Sequence, residues 1–333
     1  MTPRAIGRLL CPLLAVVAFV LPASLAAQEP DMALSKEQRD SLLKDYDQIF
    51  PIWGRKALER GFQTPLPLGF NVALYSMKQD IEISNLGLGF NQPPQPVSFI
   101  TFEGANAQLT LINARMDLWL FPFLNVYGIV GTGSGHTTVK LAEPVEFETT
   151  ANFDGASAGL GITGVYGLRN YFGVVDFNHQ WGFSSLLENP VPANILSMRL
   201  GRRLRLGGRK NVRATLWVGT MYQALQSETN GSIKLSDVLP TGTDSLFNGY
   251  QNTPWYMGLG PVEKALVDDF VQRLSGSLDT TVVNYSLNKT VADPWNMLLG
   301  GTIDVGRHWG VRWEAGFIGR KSLMVMGNYR IAF

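Results

Sequence analysis

The feature that most constrains the fold is the last stretch of the chain, SLMVMGNYRIAF, residues 322–333. Its large apolar side chains share one parity, which only Gly327 interrupts: Leu323, Val325, Tyr329, Ile331 and Phe333. The other parity carries Ser322, Asn328 and Arg330 together with two methionines and an alanine. Because successive strand residues point to opposite faces, this pattern predicts a β-strand with one apolar face and one more polar face.

The same alternation recurs in nine earlier segments: residues 70–90, 108–120, 125–133, 156–166, 171–181, 194–206, 211–222, 295–306 and 310–318. Most are at least as long as the roughly 9–11 residues that cross a bilayer as a tilted strand. The connections FPFL, GLRN, GGRK and RHW are short, whereas residues 134–155, 182–193 and 223–294 are predicted to be long loops. Short turns at one end and long loops at the other predict an all-β fold, an antiparallel transmembrane β-barrel.

The predicted barrel has about 10–12 strands, an even number because both ends of the chain are expected on the periplasmic side with the short turns. The count is ten if residues 70–90 form one strand. It is twelve if an extra hairpin exists near residues 70–103 or 229–240. The sequence leaves both counts open.

Composition favours a membrane barrel over a soluble enzyme of the same length. The 333 residues include 35 glycines, 17% charged and 11% aromatic residues, and the formal net charge is +1. A net charge this close to zero argues against a nucleic-acid partner. The apolar stretch at residues 118–135 contains Pro122 and Asn125, so a hairpin explains it better than a spanning helix.

The N-terminal region is predicted to lie outside the barrel. Arg4 and Arg8 precede an apolar run and a small-residue cleavage site, which predicts a signal peptide at residues 1–26. The alternative, a membrane anchor, is disfavoured because the run is shorter than the ~20 residues of a spanning helix. Cys11 lies in this segment, so the mature chain would contain no cysteine. Residues 27–65 show helical spacing and are predicted to form a periplasmic helical extension or plug, with the barrel at 66–333.

Charged residues on the more polar parity are the candidates for lining the lumen. A charge facing lipid at the bilayer midplane costs about 2–4 kcal/mol, so these side chains should point inward. They comprise seven positive and four negative residues: Arg115, Asp117, Asp176, Arg199, Arg203, Arg205, Arg213, Asp304, Arg312, Glu314 and Arg330. One interpretation is an arginine ladder that favours anions. The other is that opposite charges pair and fill a narrow interior. A barrel of eight strands is only just filled by side chains, so a barrel of ten strands leaves little spare space.

Catalytic patterns are weak in this sequence. None of the three histidines has zinc-type spacing, and the glycine-rich GTGSG segment lacks the lysine of a phosphate loop. His179 has lipid-facing parity. A serine nucleophile two residues away would lie on the same face, but Trp181 occupies that position. We therefore expect no enzyme activity, no metal site and no cofactor.

Aromatic residues beside the short turns predict a girdle at one membrane interface: Phe121, Phe123, Tyr166, Tyr171, Phe172 and Trp309. With the signal peptide, the alternating strands and the terminal YRIAF, the chain resembles Gram-negative outer-membrane β-barrel proteins. That resemblance implies location in the cell outer membrane and contact with its lipid. It also implies that the barrel-assembly machinery recognises the final strand through Tyr329, Ile331 and Phe333.

Two functions remain open from the sequence. The first is an outer-membrane channel or transporter for small solutes, with a preference for anions as the finer expectation. The alternative is a structural or adhesion-type barrel with a filled lumen, which acts through its external loops. The longest predicted external loop, residues 223–294, contains a candidate helix at 261–276 and is where specificity is expected, because loops this long are usually functional.

Overall fold

The computed structural model describes residues 36–44, 46–90, 93–97, 99–143, 146–168, 170–184, 187, 189–205, 212–225, 228–234, 248–276 and 282–333. The predicted signal peptide lies outside these residues. The strands are β1 (Leu68–Phe90), β2 (Gln95–Pro96), β3 (Thr101–Phe121), β4 (Leu124–Glu143), β5 (Phe147–Leu168), β6 (Tyr171–Ser184), β7 (Val191–Arg205), β8 (Val212–Leu225), β9 (Glu228–Lys234), β10 (Val282–Val291), β11 (Trp295–Val305), β12 (Trp309–Phe317) and β13 (Arg320–Ile331). The helices are α1 (Lys36–Lys44), α2 (Gly54–Glu59), α3 (Pro254–Gly258) and α4 (Pro261–Gly276), with a short 3₁₀ turn at Tyr250–Asn252.

Ten of these strands close into an antiparallel barrel. They follow the order β1-β3-β4-β5-β6-β7-β8-β11-β12-β13, and β13 pairs back onto β1 from Leu68 opposite Ile331 to Gln79 opposite Arg320. Closure gives each spanning strand two neighbours, so its backbone groups are hydrogen-bonded without water, as a bilayer requires. The predicted fold class is confirmed, with residues 70–90 contained in a single strand.

The outer face of the barrel is apolar on all ten strands. Large exposed side chains on this face include Phe70, Leu74, Ile112, Val130, Leu160, Val175, Leu200, Leu216, Ile303, Val311 and Val325. The final strand shows the predicted division, because Leu323, Val325 and Tyr329 are exposed outside whereas Arg330 binds Asp117 inside. An apolar belt of this kind is the surface that faces lipid in outer-membrane barrels.

The barrel wall is uneven in height. β1, β3, β4 and β5 have 20 to 23 residues, about twice what a crossing strand needs. We call the end with the chain termini and the short turns the turn end, and the opposite end the loop end. The long strands project beyond the membrane at the loop end, so the predicted loop at residues 134–155 is wrong. The segment is strand on both sides of residues 144–146, because above the bilayer both sheet faces meet water and the ladder needs no apolar alternation.

β1 changes partner at the height where the barrel ends. Its lower half pairs with β13, and its upper half pairs with β10 from Ile81 opposite Val291 onward. β9 extends this sheet by pairing with β10. Of the extra hairpin predicted as one possibility near residues 229–240, only β9 falls within the described residues, and its partner is β10; the two strands raise one wall and add none to the barrel.

Helices α3 and α4 pack against this raised wall. Phe99, Val267, Val271 and Val283 form a buried apolar cluster, to which Trp255 and Leu259 add contacts. Val283 has the same parity on β10 as Val291, which lies opposite the buried Ile81. The helical segment therefore packs on the inner face of this sheet, which is the same face that lines the lumen nearer the turn end.

The N-terminal segment lies against the turn end. Ile52 donates its backbone N–H to Leu120 O at 2.8 Å, and the ring of Trp53 lies 5.0 Å from that of Phe121. Phe50 packs near the terminal Phe333, with 6.1 Å between ring centroids. None of the helices in the described part of the chain is long and apolar enough to span a membrane.

Candidate functional site: the barrel lumen

The predicted lumen residues all lie on the inner parity of their strands, and the structure describes ten of their side chains. The side chain of Arg205 lies outside the described part. Asp117, Asp176 and Glu314 are each buried and each collects several hydrogen bonds. The interior is therefore organised by three carboxylates contributed by β3, β6 and β12.

Asp117 is the centre of a cluster near the turn end. Its carboxylate accepts hydrogen bonds from Arg330 Nη2 at 2.6 Å, Asn125 Nδ2 at 2.7 Å and Asn71 Nδ2 at 2.8 Å. Arg330 also donates Nε to Leu66 O at 2.9 Å. The cluster thus joins the first strand of the barrel, the last strand and the segment that precedes β1.

Glu314 is the centre of a second cluster, which is built by β7, β8 and β12. Arg199 donates Nε and Nη2 to its two oxygens at 2.7 and 2.9 Å, an in-plane fork that matches a carboxylate. Arg312 Nη2 and Trp217 Nε1 donate to the same group at 3.0 and 2.8 Å. One buried acid therefore holds two arginines and an indole.

Asp176 is the centre of the third cluster. It accepts from Tyr127 OH at 3.0 Å and from Thr163 Oγ1 at 2.5 Å. The guanidinium of Arg115 lies 3.5 Å from the ring centroid of Tyr127, and its Nη2 donates to Asn125 Oδ1 at 3.2 Å. Arg115 thereby links this cluster to the one around Asp117.

We call these three clusters the polar plug, made of Asn71, Arg115, Asp117, Asn125, Tyr127, Thr163, Asp176, Arg199, Trp217, Arg312, Glu314 and Arg330. Of the two interpretations of the charged face, the geometry matches charge pairing within a filled interior. Inward glycines provide the space for its rings. A Cβ on Gly161 would lie 2.2 Å from the Tyr127 ring, and one on Gly300 would lie 2.6 Å from the Trp217 ring.

The remaining predicted residues lie toward the turn end. Arg213 donates Nη1 to Gln63 Oε1 at 2.9 Å and Nη2 to Gly306 O at 3.3 Å, and Asp304 is opposite it in the strand register. The guanidinium of Arg203 lies 6.0 Å from the ring centroid of Phe172. Phe172 therefore shares the inner face with Asp176 and does not belong to the predicted girdle, because its parity outweighs its position beside a turn.

A cavity of about 420 Å³ lies in the lumen between the plug and the loop end. Arg115, Tyr127, Arg199 and Glu314 contribute to its floor. Its walls are mostly apolar: Ala73, Tyr75, Met77, Leu109, Leu111, Ile195, Met221, Leu298, Met324 and Met326. Sequence reasoning missed these residues because it searched the inner parity for charges, although three of the methionines alternate with lipid-facing residues on β8 and β13.

The candidates considered for catalysis and metal binding have other contacts. His179 Nδ1 is 2.8 Å from Asn194 Oδ1, and its ring packs edge-on at 4.5 Å against Trp181. Among the residues that the structure describes, no group of three or more His, Cys, Asp or Glu residues is placed to hold a metal ion.

No protein-family model matches the chain, and no curated protein is similar to it. Among solved structures, it is similar to the β-domain of the Bordetella autotransporter BrkA, at 11% identity over 80% of this chain and 100% of that one, with a TM-score of 0.37. It is also similar to OprG from Pseudomonas aeruginosa, at 10% identity over 80% and 98%, TM-score 0.35. The Pseudomonas putida toluene transporter TodX matches at 8% identity over 87% and 91%, TM-score 0.28.

Proposed function

We propose that this outer-membrane β-barrel is a channel for small solutes, which enter at the loop end and are held in the lumen above the polar plug. The observation that carries the proposal is the cavity of about 420 Å³ inside the barrel. Ligand sites in proteins typically measure about 300–1,000 Å³ and combine apolar walls with a few polar groups. The lumen cavity fits that description and has room for one small molecule.

The lining of the cavity favours apolar or amphipathic solutes. Methionine, leucine and isoleucine side chains form most of its wall, and methionine adapts its shape to different ligands. The sequence predicts a preference for anions from a ladder of arginines. Three of these arginines, Arg199, Arg312 and Arg330, are already paired with carboxylates. We therefore propose that an anionic preference comes from another arginine of the cavity, Arg320.

Under this proposal the polar plug is a gate. Its contacts are hydrogen bonds and ion pairs between side chains, which can exchange partners while the strand ladder stays intact. A solute in the cavity reaches the turn end only when the plug rearranges. The closed plug should therefore allow little steady flow of ions.

The test is the single-channel conductance of the refolded mature protein in a planar bilayer. We expect the wild type to show low conductance and the Arg199→Ala/Glu314→Ala double variant to show higher conductance. Removing Arg199 together with Glu314 leaves Arg312 as the one arginine of this cluster without its carboxylate, so folding of the variant is checked by heat-modifiable gel migration. The matched control is Lys140→Gln/Glu148→Gln, which removes an exposed pair 3.6 Å apart on the parts of β4 and β5 that project beyond the membrane. That control should conduct like the wild type.

Two outcomes would contradict the gate. One is a wild type that conducts steadily, which would mean that the plug does not close the lumen. The other is a double variant that stays silent although its heat-modifiable gel migration shows a folded barrel.

A second candidate function is binding of a partner at the loop end. Met257, Val262 and Leu266 on the external helices are all largely exposed, with Val262 75% exposed. Under this alternative the lumen is structural and the helices form the contact surface. Deleting the helices distinguishes the two functions.

A further inference from the structure

Among the described residues, two arginines that line the lumen cavity, Arg115 and Arg320, have no carboxylate within ion-pair distance, and Arg320 is the more deeply buried of the two. Arg320 is the first residue of β13, is only 5% exposed and lines the cavity wall. Its Nη1 donates to Gln79 Oε1 at 3.4 Å, and its Nη2 lies 3.3 Å from Met221 Sδ. Its Nε has no partner. Among the described residues, no carboxylate lies within ion-pair distance of this guanidinium.

Arg199 shows what a buried arginine in this barrel otherwise has. It is 8% exposed, similar to Arg320, but it holds the carboxylate of Glu314 with two hydrogen bonds. Burying a charge is unfavourable unless a counter-charge and hydrogen bonds compensate for the lost water. A glutamine oxygen and a thioether sulfur are weak substitutes for that counter-charge.

Other unpartnered polar atoms lie around the same corner of the cavity. Gln223, 7% exposed and two residues from Met221 on β8, lines the cavity with its Oε1 unpartnered. Asn296 is opposite Met221 in the strand register, is 2% exposed, and has neither amide atom bonded. Unpartnered donors and acceptors thus gather beside Arg320, above the polar floor of a cavity whose walls are mostly apolar.

This arrangement selects a ligand with one negative charge at one end and an apolar body. The planar fork of a guanidinium matches the two oxygens of a carboxylate. A phosphate monoester would bring nearly two charges to a single cation, and a neutral apolar molecule would leave Arg320 without a counter-charge. We propose that Arg320 binds the carboxylate of a small amphipathic acid, whose apolar body lies along Leu298, Met324 and Met326. The inference rests on the proposed function, since it names the solute class of the same cavity.

The experiment compares two probes that differ in charge, 3-phenylpropanoate and 3-phenylpropanamide, by calorimetric titration of the refolded full chain in lipid nanodiscs. We expect the wild type to bind the carboxylate more tightly than the amide. Arg320→Met keeps an apolar side chain in the wall and should weaken carboxylate binding roughly tenfold or more, because charge-assisted hydrogen bonds are lost. Binding of the amide should stay unchanged.

The matched control is Lys321→Met, which removes the same charge one residue away on the exposed outer face. It should bind the carboxylate like the wild type. Arg320→Lys keeps the charge but loses the fork, so it should bind with intermediate affinity and serves as a second variant if Arg320→Met does not fold. Heat-modifiable migration checks folding in each case.

Equal affinity for the two probes, or carboxylate binding that survives Arg320→Met in a folded barrel, would overturn the assignment of Arg320. Flux of the neutral amide into proteoliposomes, measured as the excess over flux into protein-free liposomes, separates this from failure of the proposed function. If the amide enters but the carboxylate shows no dependence on Arg320, the channel stands and the subsite is wrong. If neither probe binds or enters, both proposals fail.

Discussion

Glu314 illustrates how single residues determine the packing inside this barrel. Its carboxylate is buried and receives donors from β7, β8 and its own strand β12. Asp117 does the same for β1, β4 and β13. Each acid accepts hydrogen bonds from several strands in a site that excludes most water. Glu314 on β12 thereby joins β7 and β8, and Asp117 on β3 joins β13, which are not neighbouring strands.

Replacing Glu314 alone should be strongly destabilising. Glu314→Gln keeps the shape but leaves Arg199 and Arg312 without a counter-charge in a buried site. Breaking a buried ion pair from one side typically costs about 3–5 kcal/mol, and we expect a loss of that order in urea-induced unfolding of the barrel in lipid vesicles.

The control for this prediction is Glu148→Gln, whose partner Lys140 lies 3.6 Å away with both side chains more than half exposed. An exposed pair contributes about 1 kcal/mol or less, so the unfolding midpoint should hardly move. Similar small shifts in the two variants would show that the lumen around Glu314 is wet enough to solvate the freed arginines.

At the scale of elements, β1 connects the membrane barrel to the structure above it. It has 23 residues and pairs with β3 along much of its length, with β13 below and with β10 above. The register shifts between Ser84 and Gly87, where Asn85 has a φ of 52°. This irregularity falls where β1 has left the barrel, so the raised wall can turn without disturbing closure.

The helices on the raised wall are held together by one carboxylate. Asp268 on α4 accepts hydrogen bonds from Tyr250 OH at 2.6 Å and from Tyr256 OH at 2.9 Å. The hydrogen bond from Tyr250 is the main cause that lowers the pKa of Asp268 below its usual value. Burial and the bond to Asp268 together raise the pKa of Tyr250 to about 12.

These shifts predict an acid-sensitive helical segment. Because the pKa of Asp268 is lower in the folded state, its bonds add stability above the ordinary aspartate pKa of about 3.9, and this stability is lost as the pH falls through the lowered value. We expect the backbone amides of α4 to lose protection from hydrogen exchange in that acidic range, after correction for intrinsic rates.

Asp268→Asn is the control, since it cannot ionise and should expose α4 to the same extent at neutral and acidic pH. Wild-type protection that does not change down to pH values well below the ordinary aspartate range would contradict the role given to Asp268.

In the molecule as a whole, the strand pairs that close the barrel are formed independently of the strands and helices of the external layer. Barrel closure depends on β1 and β13, whereas β9, β10, α3 and α4 contact the upper half of β1 and the segment around Phe99. Lys234, the last residue of β9, and Val282, the first of β10, are directly paired at the end of the two strands that residues 235–281 connect. A short linker between them can replace the helical segment without shifting the register.

Excision of residues 235–281, with a short glycine-serine linker joining Lys234 to Val282, should leave a folded barrel with normal heat-modifiable migration. The reason is that the ten-strand ladder loses no pairing. If the loop-end helices are the functional surface, the variant loses partner binding and keeps its lumen properties.

If the lumen is the functional site, the same variant keeps its affinity for the amphipathic acid. A variant that fails to assemble would show that the external segment is needed for folding, contrary to the separation seen in the strand pairing.

Strand character, barrel class and the face of most strand side chains could be predicted from the amino-acid sequence alone. Leu323 and Val325 face outward and Asp117, Arg199 and Glu314 face inward as their parity predicts, and this follows from a penalty that acts on each residue separately. A charge in lipid is costly whatever its neighbours are, so alternation is readable from a short segment.

Which charges meet, and what space they leave between them, could be seen only in the folded barrel. Glu314 lies 115 positions from Arg199, and the two meet because of the register and tilt of strands far apart in the chain. The same long-range geometry extended β4 and β5 above the membrane and left Arg320 without an acid in a largely apolar cavity. Parity gives the direction of a side chain, whereas its partner and its height in the lumen depend on how all ten strands close.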